Sequence, residues 1–286
     1  MRFRCRLFNG TSGIDQGAVL SDFIRIESLD DSRVAAYRLI ADQAALLEHN
    51  FFVAEGRLVV RRLLELRQWP IESILLSAAA AENLIDVLAN TSAPIYLVDQ
   101  ALMNDLAGFN IHRGCLAIGH RPPTPTLDRI VTGPLARVLV LEGVNNPDNV
   151  GGLFRSAAAF GVELIVMGPD CGDPLYRKAI RTSMAASLVV PFVQAPQWPG
   201  AIRELRADGF TVAALTPNRA VAPIEEVFPH SKLALLVGSE GSGLSPAAMQ
   251  AATIRIRIPT TQDVDSLNVT TAASIAMYHC FAERRS

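Results

Sequence analysis

Residues 139–161 read LVLEGVNNPDNVGGLFRSAAAFG, and the fold turns on how this stretch divides. Val138, Leu139, Val140 and Leu141 form a short continuous apolar run, the pattern of a strand covered on both faces. The polar NNPDN then turns the chain. Behind it Val150, Leu153, Phe154, Ala157, Ala158 and Phe160 recur at three-to-four spacing, so a helix is expected over 149–160. Gly161 sits where a helix ends on a left-handed residue. Strand, tight polar turn and helix N-terminus together put ligand-binding groups at the carboxyl edge of a parallel sheet. On that geometry Asn149 stands at the helix start, either capping a backbone N–H for about 1 kcal/mol or facing a ligand. Arg155 lies nearly two turns in among apolar neighbours, where a guanidinium is costly unless it is paired or turned toward a site.

The rest of the chain extends this pattern in both directions. Strands are expected at 23–27, 51–54, 74–77, 94–98 and 115–119, with helices at 32–47, 56–66, 79–88 and 100–106 between them, which makes 23–120 a small α/β domain after a polar lead at 1–22. The segment RPPTPTLDRIVTGP, 121–134, carries four prolines and a glycine and reads as a linker. From 135 to 286 the units lengthen. Strands are expected at 137–143, 163–167, 188–193, 210–215, 232–237 and 254–258, and helices at 149–160, 174–186, 200–208, 245–252 and 268–283, giving a doubly wound parallel sheet.

At 286 residues the chain is long enough for two domains, and its formal charge of −2 gives no overall basic signature, so a nucleic-acid partner would need a local patch. Lys178 and Lys232 are the only lysines; arginine supplies nearly all the positive charge. Cys5, Cys115, Cys171 and Cys280 are far apart and form no CxxC pair, which points away from a zinc site or a disulfide framework and toward a reduced, cytoplasmic setting. No apolar run reaches the length of a membrane span, so no membrane partner is expected. Arg2, Arg4 and Arg6 read as a solvated terminus, with contacts to RNA phosphates as the alternative.

Two further loops follow apolar strands. GSEGSGLS, 238–245, comes directly after KLALLV; its glycines allow close backbone approach, and Glu240 suits an uncharged or cationic ligand better than a phosphate. IPTTQDVDSLN, 258–268, leads into an apolar helix, with Ser266 as a turn residue or site residue and Asn268 as a cap or site residue. No histidine or cysteine lies in any of the three loops, which disfavours nucleophilic Cys/His chemistry.

In order and spacing, NPDNVGGLFRSAAAFGV, LLVGSEGSGLS and IRIPTTQDVDSLNVTTAASIA resemble the three motifs of the SpoU, or TrmH-like, RNA 2'-O-ribose methyltransferases of the SPOUT superfamily. The N-terminal part, through FFVAEG and GCLAIGH, is similar to the substrate-binding domain of that family, a small α/β fold like that of certain ribosomal and kink-turn-binding proteins. The resemblance implies a C-terminal parallel-sheet fold with a deep trefoil knot, a homodimer, S-adenosylmethionine as cofactor, and structured RNA as substrate, ribosomal RNA being slightly favoured over transfer RNA. It further implies that Gly238, Ile258 and Leu267 contact the cofactor, and that Asn149, Arg155, Glu240, Ser266 and Asn268 form the catalytic set. Glu240 would anchor Asn149 or its own loop. Arg155 is either the base or the group that orients the ribose and stabilises charge on its 2'-oxygen; a guanidinium does not readily give up its proton. No metal is implied.

The basic residues Arg177, Lys178 and Arg181 are candidate RNA phosphate contacts, with a solvated helix face as the alternative. Two positions depart from the motif pattern: Gln262 and Ala185 stand where glycine is common. The alternative to an enzyme is a non-catalytic RNA-binding or ribosome-associated protein on the same scaffold. The presence of Arg155 and Asn268 together with Asn149, Glu240 and Ser266 argues against it.

Overall fold

A computed structural model describes residues 23–111, 113–123, 127, 135–226, 231–261 and 266–281. The lead at 1–22 and most of the proline-rich segment 121–134 lie outside the described residues. Two sheets build the molecule. The first has five strands, β1 (Ile24–Arg25), β2 (Phe51–Glu55), β3 (Ile71–Leu76), β4 (Ile95–Leu97) and β5 (Cys115–His120), in the order β1-β4-β3-β5-β2. Strands β1, β4 and β3 run parallel, and β5 is antiparallel to both β3 and β2.

Side-chain alternation decides which helices cover each face. Phe52, Ala54, Cys115 and Ala117 pack against α2 (Arg57–Leu66) and α3 (Ala78–Leu88). Val53, Leu116 and Ile118 pack with Tyr37, Leu46 of α1 (Gln43–Glu48) and Met103 of α4 (Gln100–Ala107). The single helix expected over 32–47 is two pieces, a 3-10 turn Ser32–Leu39 and then α1. Asp42 divides them, because its carboxylate accepts from Ala44 N and Ala45 N at 2.9 and 3.2 Å and so starts a new helix.

The second sheet is wholly parallel, in the order β11-β9-β10-β6-β7-β8. Its strands are β6 (Arg137–Glu142), β7 (Leu164–Met167), β8 (Phe192–Gln194), β9 (Thr211–Leu215), β10 (Leu233–Gly238) and β11 (Ile254–Ile256). Leu139, Leu141, Ile165 and Val237 face α5 (Pro147–Ala159) and α9 (Val269–Phe281). Val138, Val140, Leu164 and Leu236 face α7 (Gly200–Ala207) and α8 (Pro246–Ala251). Burial on both faces is why these strands read as unbroken apolar runs.

The helix expected over 174–186 ends early, as α6 (Arg177–Thr182). Met184 and Ala185 then take left-handed φ values of 53° and 65°, which stops the helix and turns the chain into a 3-10 turn, Ala186–Leu188. The strand expected at 188–193 is correspondingly only β8. Its first residue is engaged elsewhere: Leu188 joins Leu175, Ile180 and Ala185 in the core of the first sheet, beside Phe52 and Ala54. Polar contacts reinforce this joint. Gln68 Nε2 and Trp69 Nε1 both donate to Leu188 O, at 2.8 and 2.9 Å. Arg121 donates to Phe51 O at 2.7 Å and pairs with Asp173 at 2.7 Å.

Because the two sheets share one core, they are expected to melt as one unit, with a single calorimetric transition whose enthalpy matches the van't Hoff value. Ile180→Ala, at a fully buried position, is expected to lower that transition by about 2–5 kcal/mol without splitting it. Two resolved transitions in the unmodified protein would contradict the shared core.

Candidate functional site

The three polar loops meet at the carboxyl edge of the second sheet. Strands β6 and β10 are neighbours in a register that pairs Glu142 with Gly238, so the turn after β6 and the loop after β10 start side by side. Loop 239–245 folds back on itself: Gly243 N donates to Ser239 O at 3.2 Å, and Gly241 and Gly243 hold φ values of 92° and 68°. A methyl on Gly238 would stand 2.4 Å from the Gly243 carbonyl carbon, so only glycine permits the fold-back.

The buried carboxylate of Glu142 pins this loop from beneath. It accepts from Ser245 N at 2.8 Å, Ser245 Oγ at 2.6 Å and Trp198 Nε1 at 2.5 Å. Sequence reasoning missed Glu142 and Trp198. The one available signal was an acid at the end of an apolar strand, directly before a glycine.

Loop 239–245 and the stretches 258–260 and 266–268 wall a cavity of about 510 Å³, lined by Leu215, Val237, Gly238, Glu240, Ile258, Ser266, Leu267 and Asn268 among others. Six of the eight residues singled out as cofactor-binding or catalytic are therefore on one wall or another. The lining contains apolar groups, backbone, hydroxyls and the Glu240 carboxylate, and no arginine or lysine among the described residues. Such a lining suits a ligand that is neutral or positively charged. Gln262 falls within 262–265, outside the described residues.

Helix α5 begins two residues before the sequence suggests. Asn146 is its cap, accepting from Asp148 N at 2.9 Å, and Pro147 occupies the first helical position, where its missing N–H is no loss. Asn149 is thus inside the first turn and is not the cap. Its side chain is buried and accepts from Asn268 Nδ2 at 3.1 Å. Asn268 Nδ2 also donates to Glu240. Asn268 Oδ1 caps α9, accepting from Thr270 N at 3.0 Å and Thr271 N at 3.2 Å. Asn268 is therefore the cap, and its other amide atom is left to join Asn149 and Glu240. Glu240 anchors Asn268, and through it Asn149, where direct contact with Asn149 was one expectation.

Two glycines allow this convergence. A methyl on Gly151 would lie 2.7 Å from Ala179 O of α6, and one on Gly152 would lie 2.7 Å from Thr270 Cγ2 of α9. Helix α5 is thereby clasped from both sides. Arg155, about 9 Å along the axis from Asn149, is exposed and makes no hydrogen bond or ion pair among the described residues. It escapes the burial cost foreseen for it by facing outward. Ser266 lines the cavity without a hydrogen bond to the asparagines among the described residues.

The basic residues of α6 are differently engaged. Arg177 and Arg181 both reach the Glu55 carboxylate on β2, the latter at 3.3 Å, and Arg177 lies over the Phe109 ring at 4.2 Å. Lys178 pairs with Asp148 at 2.8 Å, and that contact holds the Asp148 carboxyl below its usual range.

Comparison with known proteins gives this site a family. Residues 136–278 match the model of the SpoU rRNA Methylase family. An uncharacterized tRNA/rRNA methyltransferase of Mycobacterium bovis is 42% identical over 229 residues, covering 79% of each chain. The 23S rRNA (guanosine(2553)-2'-O)-methyltransferase RlmP of Bacillus subtilis is 26% identical over 89% of this chain and 98% of its own. Among solved structures, an AdoMet-bound rRNA methyltransferase of Sinorhizobium meliloti superposes with a TM-score of 0.76 at 22% identity, over 90% of this chain and 97% of the other. An RNA 2'-O ribose methyltransferase superposes at 0.75 and 25% identity, with the same two coverages. The chain belongs to the SpoU family of RNA methyltransferases, and its α/β parallel-sheet fold is that of the SPOUT enzymes.

The carboxylate under the loop supplies a test. Glu142→Gln would turn an amide N–H₂ toward donors that now find an acceptor, and is expected to cost about 1.5–3 kcal/mol in urea denaturation. The Trp198 fluorescence should shift with it, because the indole loses its partner. An unchanged midpoint and spectrum would remove Glu142 from this role.

Proposed function

We propose that this protein transfers a methyl group from S-adenosylmethionine to a ribose 2'-hydroxyl of structured RNA, with ribosomal RNA as the favoured substrate. The observation that carries the reading is the convergence of Asn149, Asn268 and Glu240 at the mouth of the cavity lined by residues of 238–243, 258–260 and 266–268. The cavity fits the cofactor in size and charge: it is within the range of small-molecule pockets, it has a glycine where backbone must come close, and among the described residues its lining has an acid and no base. Gly238, Ile258 and Leu267 would hold the cofactor, which supplies an electrophilic methyl on a positively charged sulfur.

In the reaction the 2'-oxygen forms a bond to the methyl carbon as the carbon–sulfur bond breaks, the electron pair returns to sulfur as a neutral thioether, and the hydroxyl proton leaves to water at the open mouth of the site. Arg155, which has no acidic partner among the described residues, donates to the ribose and the adjacent phosphate and stabilises the charge that builds on the 2'-oxygen. Asn149 and Asn268 fix each other's amides, Glu240 holds the pair, and Ser266 hydrogen-bonds the incoming nucleotide. The relative RlmP, a 2'-O-methyltransferase of 23S rRNA by name, supports both the 2'-oxygen and the ribosomal substrate.

The reading extends to assembly. A homodimer is supported by the apolar groups that α5 and α9 leave uncovered, Tyr278 at 67% exposure stacked edge-on against Phe160, and Ile275 at 40%. A trefoil knot is supported by α9, which follows the edge strand β11 and yet packs back against α5 and β10. The two lobes, 23–120 and 135–286, divide the work, the first binding RNA and the second carrying the chemistry, in the cytoplasm.

The test is incubation with radiolabelled S-adenosylmethionine and, separately, ribosomal and transfer RNA lacking the modification, followed by mapping of any 2'-O-methylated nucleotide. Label is expected in the ribosomal pool, falling at least about 100-fold with Arg155→Ala while calorimetric cofactor affinity stays the same. Gly238→Ala is expected to abolish cofactor binding in a protein that still melts cooperatively. Label on a base instead of a ribose would overturn the 2'-O assignment, and label confined to transfer RNA would overturn the substrate.

A further inference from the structure

We propose that five basic side chains form a continuous track for the sugar-phosphate backbone of the substrate RNA, running from the β2–α2 junction of the first lobe across α6 to the N-terminal turn of α5. The inference deepens the RNA methyltransferase reading and rests on it. The track begins at Gly56, whose two neighbours in space and sequence are arginines: Arg57 follows it in the chain, and Arg113 Cδ comes within 3.9 Å of where its Cβ would be. Both arginines are exposed, and neither makes an ion pair or hydrogen bond among the described residues.

One residue earlier, Glu55 is buried at the end of β2 and gathers Arg177 and Arg181 from α6. One carboxylate cannot neutralise two guanidiniums, so this cluster keeps a net positive charge. Phe109, in the same connection as Arg113, supports the Arg177 guanidinium from beneath. Arg181 leaves 47% of its side chain in solvent and Lys178 leaves 41%, so both can still take a phosphate. At the far end, Lys178 and Thr182 hold Asp148 at 2.8 and 3.1 Å, and Asp148 precedes Asn149 directly.

Counting the groups, Arg57, Arg113, Arg177, Lys178 and Arg181 give five positive charges against Glu55 and Asp148, a local balance of +3 on a chain whose formal charge is −2. That asymmetry is the footprint of a polyanion. The strip crosses the joint between the lobes at the point where their core is shared, so its two ends keep a fixed separation. Glu55 is a positioning residue here: it makes no contact with RNA and sets the two arginines that do.

The experiment uses the full-length protein and the double variant Arg57→Ala/Arg113→Ala, with fragmented ribosomal RNA as the binding probe and salt varied from about 50 to 200 mM. Both positions are exposed and unpaired, so the melting temperature and the calorimetric affinity for S-adenosylmethionine should stay at their original values. The affinity for RNA should fall about tenfold, and the slope of log K against log salt should become shallower by about 1.4–1.8, two phosphate contacts' worth. Under saturating RNA the methylation rate should be unchanged while KM rises. Arg203→Ala, on the exposed side of α7 beyond the opposite sheet face, is the control and should alter neither slope nor affinity. An unaltered slope and affinity in the double variant overturns the track, whatever else that surface binds. If the unmodified protein methylates no RNA, the methyltransferase reading fails separately, and the salt slope still decides whether the strip holds a polyanion.

Discussion

Everything in the second lobe depends on how closely other helices can approach α5. At Gly151 there is no room for a methyl beside the backbone of α6, and at Gly152 none beside Thr270 of α9. These adjacent residues face different neighbours because successive positions on a helix point about 100° apart. One contact seats the helix that reaches the first lobe, the other the helix that carries Asn268. Interiors this tightly packed transmit displacement instead of absorbing it, so a side chain at either glycine would be felt both at the joint and at the asparagine pair.

The buried acid beneath the cavity shows the same economy in electrostatics. A carboxylate taken out of water costs several kcal/mol unless donors replace the lost solvent. Glu142 receives three, from two residues separated by nearly fifty positions in the chain, Trp198 and Ser245. An acid suits this place better than an amide, because all three partners donate and none accepts in these contacts. The result is a loop whose glycines give it freedom and whose last residue is tied down, so that the backbone lining the cavity is pre-formed.

Much of this was legible in the sequence, and the exceptions have physical causes. All but one of the strands of the second sheet read at their observed places because both faces are covered, and the three loops stood out because polar residues and glycines interrupt apolar runs. Asn268 and Glu240 stood out singly, yet the hydrogen bonds that join Asn268 to Asn149 and to Glu240 link residues 119 and 28 positions apart, which no periodicity encodes. The run LVV at 188–190 misled for the complementary reason: Leu188 joins the core of the other lobe while Val190 stays in that of its own, and apolar character alone does not say which core a residue joins. The helix start was placed two residues late, at Asn149, because the turn holds three asparagines, and the one before proline has the extended conformation a cap requires.

Ala185 illustrates how such a shared core reshapes local rules. An alanine held left-handed pays about 1–2 kcal/mol that glycine would not. Its methyl, however, is fully buried between the two lobes, which returns about 0.8 kcal/mol, and glycine would bring extra freedom to the unfolded chain. The two sides nearly balance, so the departure from glycine leaves the turn intact while adding apolar surface to the joint. That joint is what makes the molecule one body, with Trp69 and Gln68 of the first lobe closing on the carbonyl of Leu188 just three residues beyond the strained turn. A flexible tether would let the two lobes drift independently; a common core fixes the separation between the first sheet and the asparagine pair of the second.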